Sequence, residues 1–198
     1  SVPYSSVYLS SAIAVDLVPA LRPLIIHDLL RQTAGYTYEH LAKGPLQAFY
    51  REAGTARRDQ SVAELARRLA TVPLAFQPGT RWRSGHATDI LGRVIEVVSG
   101  AALGEALARM VLRPLGMADT GFSVPAAEYH RIAEPFAKDP ESGAPVSLFH
   151  VTAPPQLESG GGGLVSTLAD YTRFLMMLTS GGRCGERQLL SRKTIQYM

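Results

Sequence analysis

A serine hydroxyl three residues ahead of a lysine amine is a compact way for a helix to hold a nucleophile beside a group that takes its proton. The sequence has three lysines, Lys43, Lys138 and Lys193, and the residues three places before them are His40, Pro135 and Leu190. No S-x-x-K pair exists in the 198 residues, and no G-x-S-x-G elbow stands in for it. The run Ser159-Gly160-Gly161-Gly162-Gly163 enters Leu164-Val165-Ser166 without the lysine of a phosphate loop. It also lacks the strand and downstream acid of a dinucleotide site, so it reads as backbone that approaches a cleft closely. His27, His40, His86, His130 and His150 show neither H-x-x-x-H nor H-E-x-x-H spacing, so neither a metal nor a cofactor is expected. His86 stands apart only by its address, between Trp82 and the most regular helical pattern in the chain.

The elements that must position these residues are mostly helical. Ser1 to Leu17 has no clean period and reads as irregular or weak strand. Ile26, Leu29 and Leu30 predict a short helix ending at Thr33-Ala34-Gly35, with a loop from Tyr36 to Lys43. Ser61 and Glu64 form a capping box ahead of Val62, Leu65, Ala66 and Leu69. Thr88 is placed to cap the next helix, whose apolar positions are Ile90, Leu91, Val94, Ile95 and Val98 and whose end is Gly100. Another helix carries Leu103 to Val111 and should stop at Pro114. Pro125 to Pro155 is a long loop with a short strand at Val146 to Val151. Thr167 and Asp170 make a second capping box, with Leu168, Tyr171, Phe174, Leu175 and Leu178 as an inner face closed by Gly181-Gly182. A last helix begins at Ser191.

Composition narrows the class. With 46% hydrophobic and 19% charged residues the chain is globular. Removing three lysines from 20 basic residues leaves 17 arginines, spread from Arg22 to Arg192 among acids, which is not a nucleic-acid patch. No apolar run reaches the roughly 20 residues that span a bilayer, and the first residues lack a leader's order of basic, apolar and small residues. That slightly favours the cytoplasm, with the compartment otherwise open. The single cysteine, Cys184, reads as an incidental loop thiol.

Several strings together resemble the serine β-lactamase-related hydrolases, the group of class C β-lactamases, family VIII esterases and D-amino-acid peptidases. They are Ile26-His27-Asp28-Leu29-Leu30-Arg31-Gln32-Thr33-Ala34-Gly35, Phe76-Gln77-Pro78-Gly79-Thr80-Arg81-Trp82, and Thr88 to Glu96. Pro114-Leu115-Gly116-Met117, Asp119-Thr120-Gly121-Phe122 and Gly160 to Thr167 follow in the family's order, and the esterase-like branch fits best. The resemblance implies an α/β (α+β) β-lactamase/transpeptidase-like fold, of which this chain is mainly the helical domain with few strands. Residues 1–22 are a lead-in and 23–198 the helical domain and cleft wall, apparently truncated at both ends. It also implies acyl transfer on a small-molecule ester or lactam, through a serine activated by a lysine and by the tyrosine of a Tyr-x-Asn loop.

Aligned on Gly79-Thr80 and Trp82, the tyrosine position holds Ser84 and the asparagine position His86. A serine hydroxyl cannot hold or pass a proton as a phenol of pKa about 10 does. His86 could accept the proton instead, although its place in a loop favours an ordinary solvated histidine. The catalytic candidates are therefore Ser84 and His86, with Trp82, Ser159, Gly160, Gly161 and Gly162 lining the substrate pocket. The chain alone is expected to be inactive. A non-catalytic helical binding module, or a pseudoenzyme with a degenerate cleft, is the alternative. A helical domain without its sheet should expose apolar surface and self-associate.

Overall fold

The computed structural model describes residues 7–10, 15–146 and 150–198, and the chain forms two compact units. The first comprises Ser1–Leu103 and Gln156–Gly162. In it, β1 (Val7–Ser10) and β2 (Val15–Val18) pair antiparallel with Val7 opposite Val18. Helix α1 (Ile26–Leu30) is opened by the Asp28 carboxylate, which accepts the Ile25 N–H at 3.1 Å and a bidentate pair of bonds from Arg22. The Arg22 guanidinium holds the Asp28 carboxyl below the usual carboxylate range.

The expected stop of α1 at Gly35 is corrected. The helix ends at Leu30, and Gln32 takes the left-handed conformation (φ 57°) that ends it. Gly35 serves packing instead, since a Cβ there would meet the carbonyl oxygen of Phe76 at 2.6 Å. The expected loop from Tyr36 to Lys43 includes a 3-10 turn, Glu39–Leu41, and runs into a helix absent from the sequence reading, α2 (Pro45–Glu52). Proline at its first position and Leu46 and Tyr50 on one face explain it.

Helix α3 (Val62–Leu69) starts on Ser61, whose hydroxyl accepts the Glu64 N–H at 3.1 Å, while the Glu64 carboxylate turns to Arg68. Helix α4 spans Ala87–Ser99 and ends at the left-handed Gly100. Thr88 lies inside its first turn, so His86 and not Thr88 is the capping position. The apolar stripe of α4 is only half-buried, and Val97 and Val98 are exposed. The residues of α4 buried in full are Ala87, Asp89 and Gly92. Leu29, Tyr36, Leu46, Tyr50, Leu65, Leu69 and Leu74 form the core that α1 to α4 enclose. Burying each such side chain contributes roughly 1.5–3 kcal/mol.

The second unit comprises Gly104–Pro155 and Gly163–Met198. Helix α5 (Leu103–Leu107) carries the chain into it and continues as a π-helical segment, Ala108–Leu112, and then α6 (Arg113–Leu115). Pro114 therefore does not stop the helix where expected. It lies in α6 directly after the π-helical segment, where the α-helical bonding pattern is already interrupted, and the helix passes through it. Gly116 closes the helix in the left-handed region.

The long loop holds a 3-10 turn at Ala126–Arg131 and a bridge between Lys138 and Pro145. Of the strand expected at Val146 to Val151, residues 147–149 lie outside the described residues. The others are not in a strand, although the Val151 carbonyl accepts the Val124 N–H.

Helix α7 (Leu168–Thr179) is capped by Thr167, whose hydroxyl accepts the Asp170 N–H. Its inner face is Phe174, Met177 and Leu178, packed on Leu112, Leu115 and Met117. Leu168, Tyr171 and Leu175, expected inside, are exposed. A two-residue-per-strand hairpin, β3 (Arg183–Cys184) and β4 (Arg187–Gln188), precedes α8 (Arg192–Tyr197). Cys184 is thus a strand residue against the second core, not a loop thiol.

Candidate active site

The site is built around the start of α4. Arg81 to Arg83 follow the Pro78-Gly79 turn without regular structure, and Gly85 is pressed so closely on Tyr36 and Thr37 that a side chain there would overlap the Tyr36 carbonyl oxygen. This contact turns the next residue, His86, into the protein. The residue is 6% exposed, and its ring stands edge-on to Tyr38, 4.6 Å between centroids. The reading of His86 as a solvated loop histidine is therefore corrected, because the loop is folded inward.

One turn into the helix, Asp89 receives three donors. Its Oδ2 is 2.9 Å from His86 Nδ1, and its Oδ1 accepts from Ser159 Oγ at 2.5 Å and from the Gly161 N–H at 3.2 Å. Burial pushes the Asp89 carboxyl up, but the bonds from His86, Ser159 and Gly161 outweigh it and hold the group below its ordinary value. Asp89 is therefore an anion at neutral pH, and its place in the first turn also sets it in the positive end of the helix dipole. An ionised carboxylate has no proton to give, so Nδ1 of His86 carries one. In the neutral ring the lone pair is then on Nε2, which becomes a proton acceptor of fixed tautomer. Tyr38 is held the other way: burial, and then the Asp89 charge, keep its phenol above the ordinary value, so it stays protonated.

The glycine run supplies the facing wall of this network. A Cβ at Gly160 would overlap the Thr88 carbonyl oxygen, and one at Gly161 would lie 2.7 Å from the Tyr38 hydroxyl. Only backbone fits between α4 and Tyr38. Gly162 has open space around it. The structure thus brings together His86, Ser159, Gly160 and Gly161. Ser84 is exposed, and among the described residues no hydrogen bond joins it to His86, so the Ser84–His86 pair does not form. Trp82, on the same loop, is 70% exposed.

Asp89 and Tyr38 are the members that the sequence reading missed. The available signal for Asp89 was its spacing of three from His86 at a helix start, which is equally the signature of an acid favouring the helix dipole. Among the described residues no cluster of three His, Cys, Asp or Glu side chains could hold a metal ion, and no helix is long and apolar enough to cross a membrane.

Comparison with known proteins defines the class. The Beta-lactamase family model matches residues 9–198, and the chain belongs to that family. It is 36% identical over 183 residues to protein Rv1367c of Mycobacterium tuberculosis, covering 91% of this chain and 45% of that protein. Esterase EstB of Burkholderia gladioli is 40% identical over 124 residues, covering 61% of this chain and 31% of EstB. Among solved structures, EstCE1, a hydrolase with promiscuous acyltransferase activity, superposes with a TM-score of 0.70 at 25% identity. That match covers 98% of this chain and 52% of EstCE1. The chain thus spans about half the length, or less, of the relatives it matches. Its few, short strands and predominant helices agree with the expected helical part of a β-lactamase/transpeptidase-like fold.

Proposed function

We propose that this chain supplies the helical part and one cleft wall of a serine hydrolase that cleaves small-molecule esters or lactams through an acyl-enzyme. The nucleophilic serine and its lysine lie outside these 198 residues on this reading, and the chain alone does not turn over. The observation that carries the proposal is the buried His86–Asp89 pair, and the resemblance, which aligns His86 with the asparagine of the family's Tyr-x-Asn loop, supports it. His86 Nε2 takes the proton of the nucleophile as its oxygen bonds to the acyl carbon, and returns it to the leaving group. Asp89 fixes the tautomer and steadies the imidazolium that forms in between. Ser159 and Gly161 brace Asp89, and Trp82 and Gly162 border the substrate. EstB is named an esterase and EstCE1 a hydrolase with acyltransferase activity, which supports an ester over a lactam.

The experiment is made on this chain and on a polypeptide extended by its flanking coding sequence. A fluorophosphonate probe followed by intact mass should leave the 198-residue chain unlabelled and label one serine of an S-x-x-K segment in the longer one. In that enzyme His86→Ala should lower kcat by about 10²–10⁴, the usual worth of a general base. Labelling of Ser84 in the 198-residue chain, or a His86→Ala enzyme with undiminished kcat, would overturn the reading. The serine at the tyrosine position supports a non-catalytic binding module as the second reading, and the absence of any labelled serine in the longer polypeptide would establish it.

A further inference from the structure

Gln32 is the only residue other than glycine with a left-handed backbone among the described residues, at φ 57°. It occupies the place just past the end of α1 where glycine is the usual residue, because glycine has no Cβ to strain. Its side chain carries a second local cost. Oε1 is buried and has no hydrogen-bond partner. A glycine would remove both costs, so the glutamine works against local stability. What it contributes lies across the fold. Nε2 donates to Thr88 Oγ1 at 3.0 Å, and the Gln32 carbonyl accepts the Arg83 N–H at 2.9 Å. These two bonds grip the chain on either side of His86, at residue 83 in the loop and at residue 88 in the first turn of α4. Gly85, pressed on Tyr36, fixes the same loop from within.

We propose that Gln32 is a positioning residue that holds the loop-to-helix segment Arg83–Thr88 and thereby keeps the His86 ring in register with Asp89. Its catalytic meaning rests on the reading of His86 as the proton acceptor, while the positioning itself is a property of this chain. Strain gathered at one residue next to a functional loop is what such a role predicts. The backbone bond to Arg83 survives any side-chain change, whereas the bond to Thr88 depends on the amide.

The test uses the 198-residue chain labelled with nitrogen-15. The His86 ring nitrogens report the tautomer, and solvent exchange of the Nδ1 proton reports how often the ring leaves Asp89. Gln32→Gly should leave the thermal midpoint unchanged or higher, yet speed Nδ1–H exchange about fivefold, as loss of one ordinary hydrogen bond implies. Thr88→Val removes the same bond from the other side without touching the backbone of residue 32, and should speed exchange to the same extent. A purely structural role would lower the thermal midpoint of Gln32→Gly and leave His86 exchange as it was, and that result overturns the proposal, as does a Thr88→Val chain with unchanged exchange. Failure of the catalytic reading is separate. It appears as undiminished kcat in His86→Ala, with the exchange result for Gln32 still standing.

Discussion

Removing the Asp89 carboxylate tests the site more directly than any other change. In Asp89→Ala three donors lose the carboxylate: His86 Nδ1, Ser159 Oγ and the Gly161 N–H, the last of which keeps Ser159 Oγ as an acceptor at 3.2 Å. They do not suffer equally. Gly161 is exposed and Ser159 partly so, and water can replace the carboxylate at both. His86 is buried and is left with an unpaired ring nitrogen, which costs about 1–3 kcal/mol. The released desolvation of the anion offsets part of this, so the loss should be about 2 kcal/mol. For a domain of this size that lowers the thermal midpoint by about 4–8 °C.

Asp89→Asn separates charge from shape. The amide oxygen still accepts from Ser159 and Gly161, but the amide nitrogen now faces His86 as a donor. The loss should therefore be only about 1 kcal/mol, the worth of an ordinary hydrogen bond, while His86 switches tautomer, with the lone pair on Nδ1 and the proton on Nε2. The pH dependence has a fixed sign. Because the folded carboxyl lies below its ordinary value, its contribution is complete above about pH 4 and fades as the pH falls through and below that value. The difference between wild type and Asp89→Ala should shrink in the same window. Urea titrations at pH 7 and pH 3, with nitrogen-15 shifts of the His86 ring, measure all three quantities. A loss under about 0.5 kcal/mol for Asp89→Ala, the level of a surface change, would refute the reasoning. So would an unchanged tautomer in Asp89→Asn.

Three further outcomes follow from the packing. Gly160→Ala forces a Cβ onto the Thr88 carbonyl and should cost about 2–3 kcal/mol by urea denaturation. Gly100→Ala, left-handed but with open space around it, should cost only about 1 kcal/mol. Tyr50 is fully buried and its hydroxyl accepts the Thr37 N–H at 3.3 Å, so Tyr50→Phe should lose about 1–2 kcal/mol at neutral pH. Burial pushes the Tyr50 phenol above its ordinary value, so its contribution is complete below about pH 10 and is lost as the pH rises past it. Alkaline unfolding followed by circular dichroism should therefore shift to higher pH in Tyr50→Phe.

The helix starts were legible where a side chain does the capping. Ser61 and Thr167 each accept the N–H three residues on, as their sequence pattern states. The reciprocal half of both boxes does not form, because Glu64 turns to Arg68, and Asp170 to Arg173 and the Asp119 N–H. A charged partner one turn further along the same helix outcompetes the local backbone donor, and at Asp170 the Asp119 N–H adds a bond from 51 residues away that helix spacing does not show. Helix α2 was legible in principle from Gly44-Pro45 and from Leu46, Phe49 and Tyr50, yet its short period is easily taken for loop. The burial of α4 and α7 was misjudged for one reason. Apolar period gives the direction of a stripe, but which part of it is covered depends on neighbours that period does not name, so Val98 and Leu168 stand exposed.

The site shows the same division between local and distant information. The resemblance, anchored on Gly79, Thr80 and Trp82, puts Ser84 at the tyrosine position of a Tyr-x-Asn loop. What that substitution means depends on which way the loop turns. The turn is set by Gly85 on Tyr36, by Gln32 on Arg83 and Thr88, and by Ser159 reaching Asp89 from 70 residues away. Each of these contacts favours burial of His86 and leaves Ser84 outside. The fold therefore puts its constraints on the histidine, and a change at Ser84, such as Ser84→Ala, should leave the His86–Asp89 pair intact.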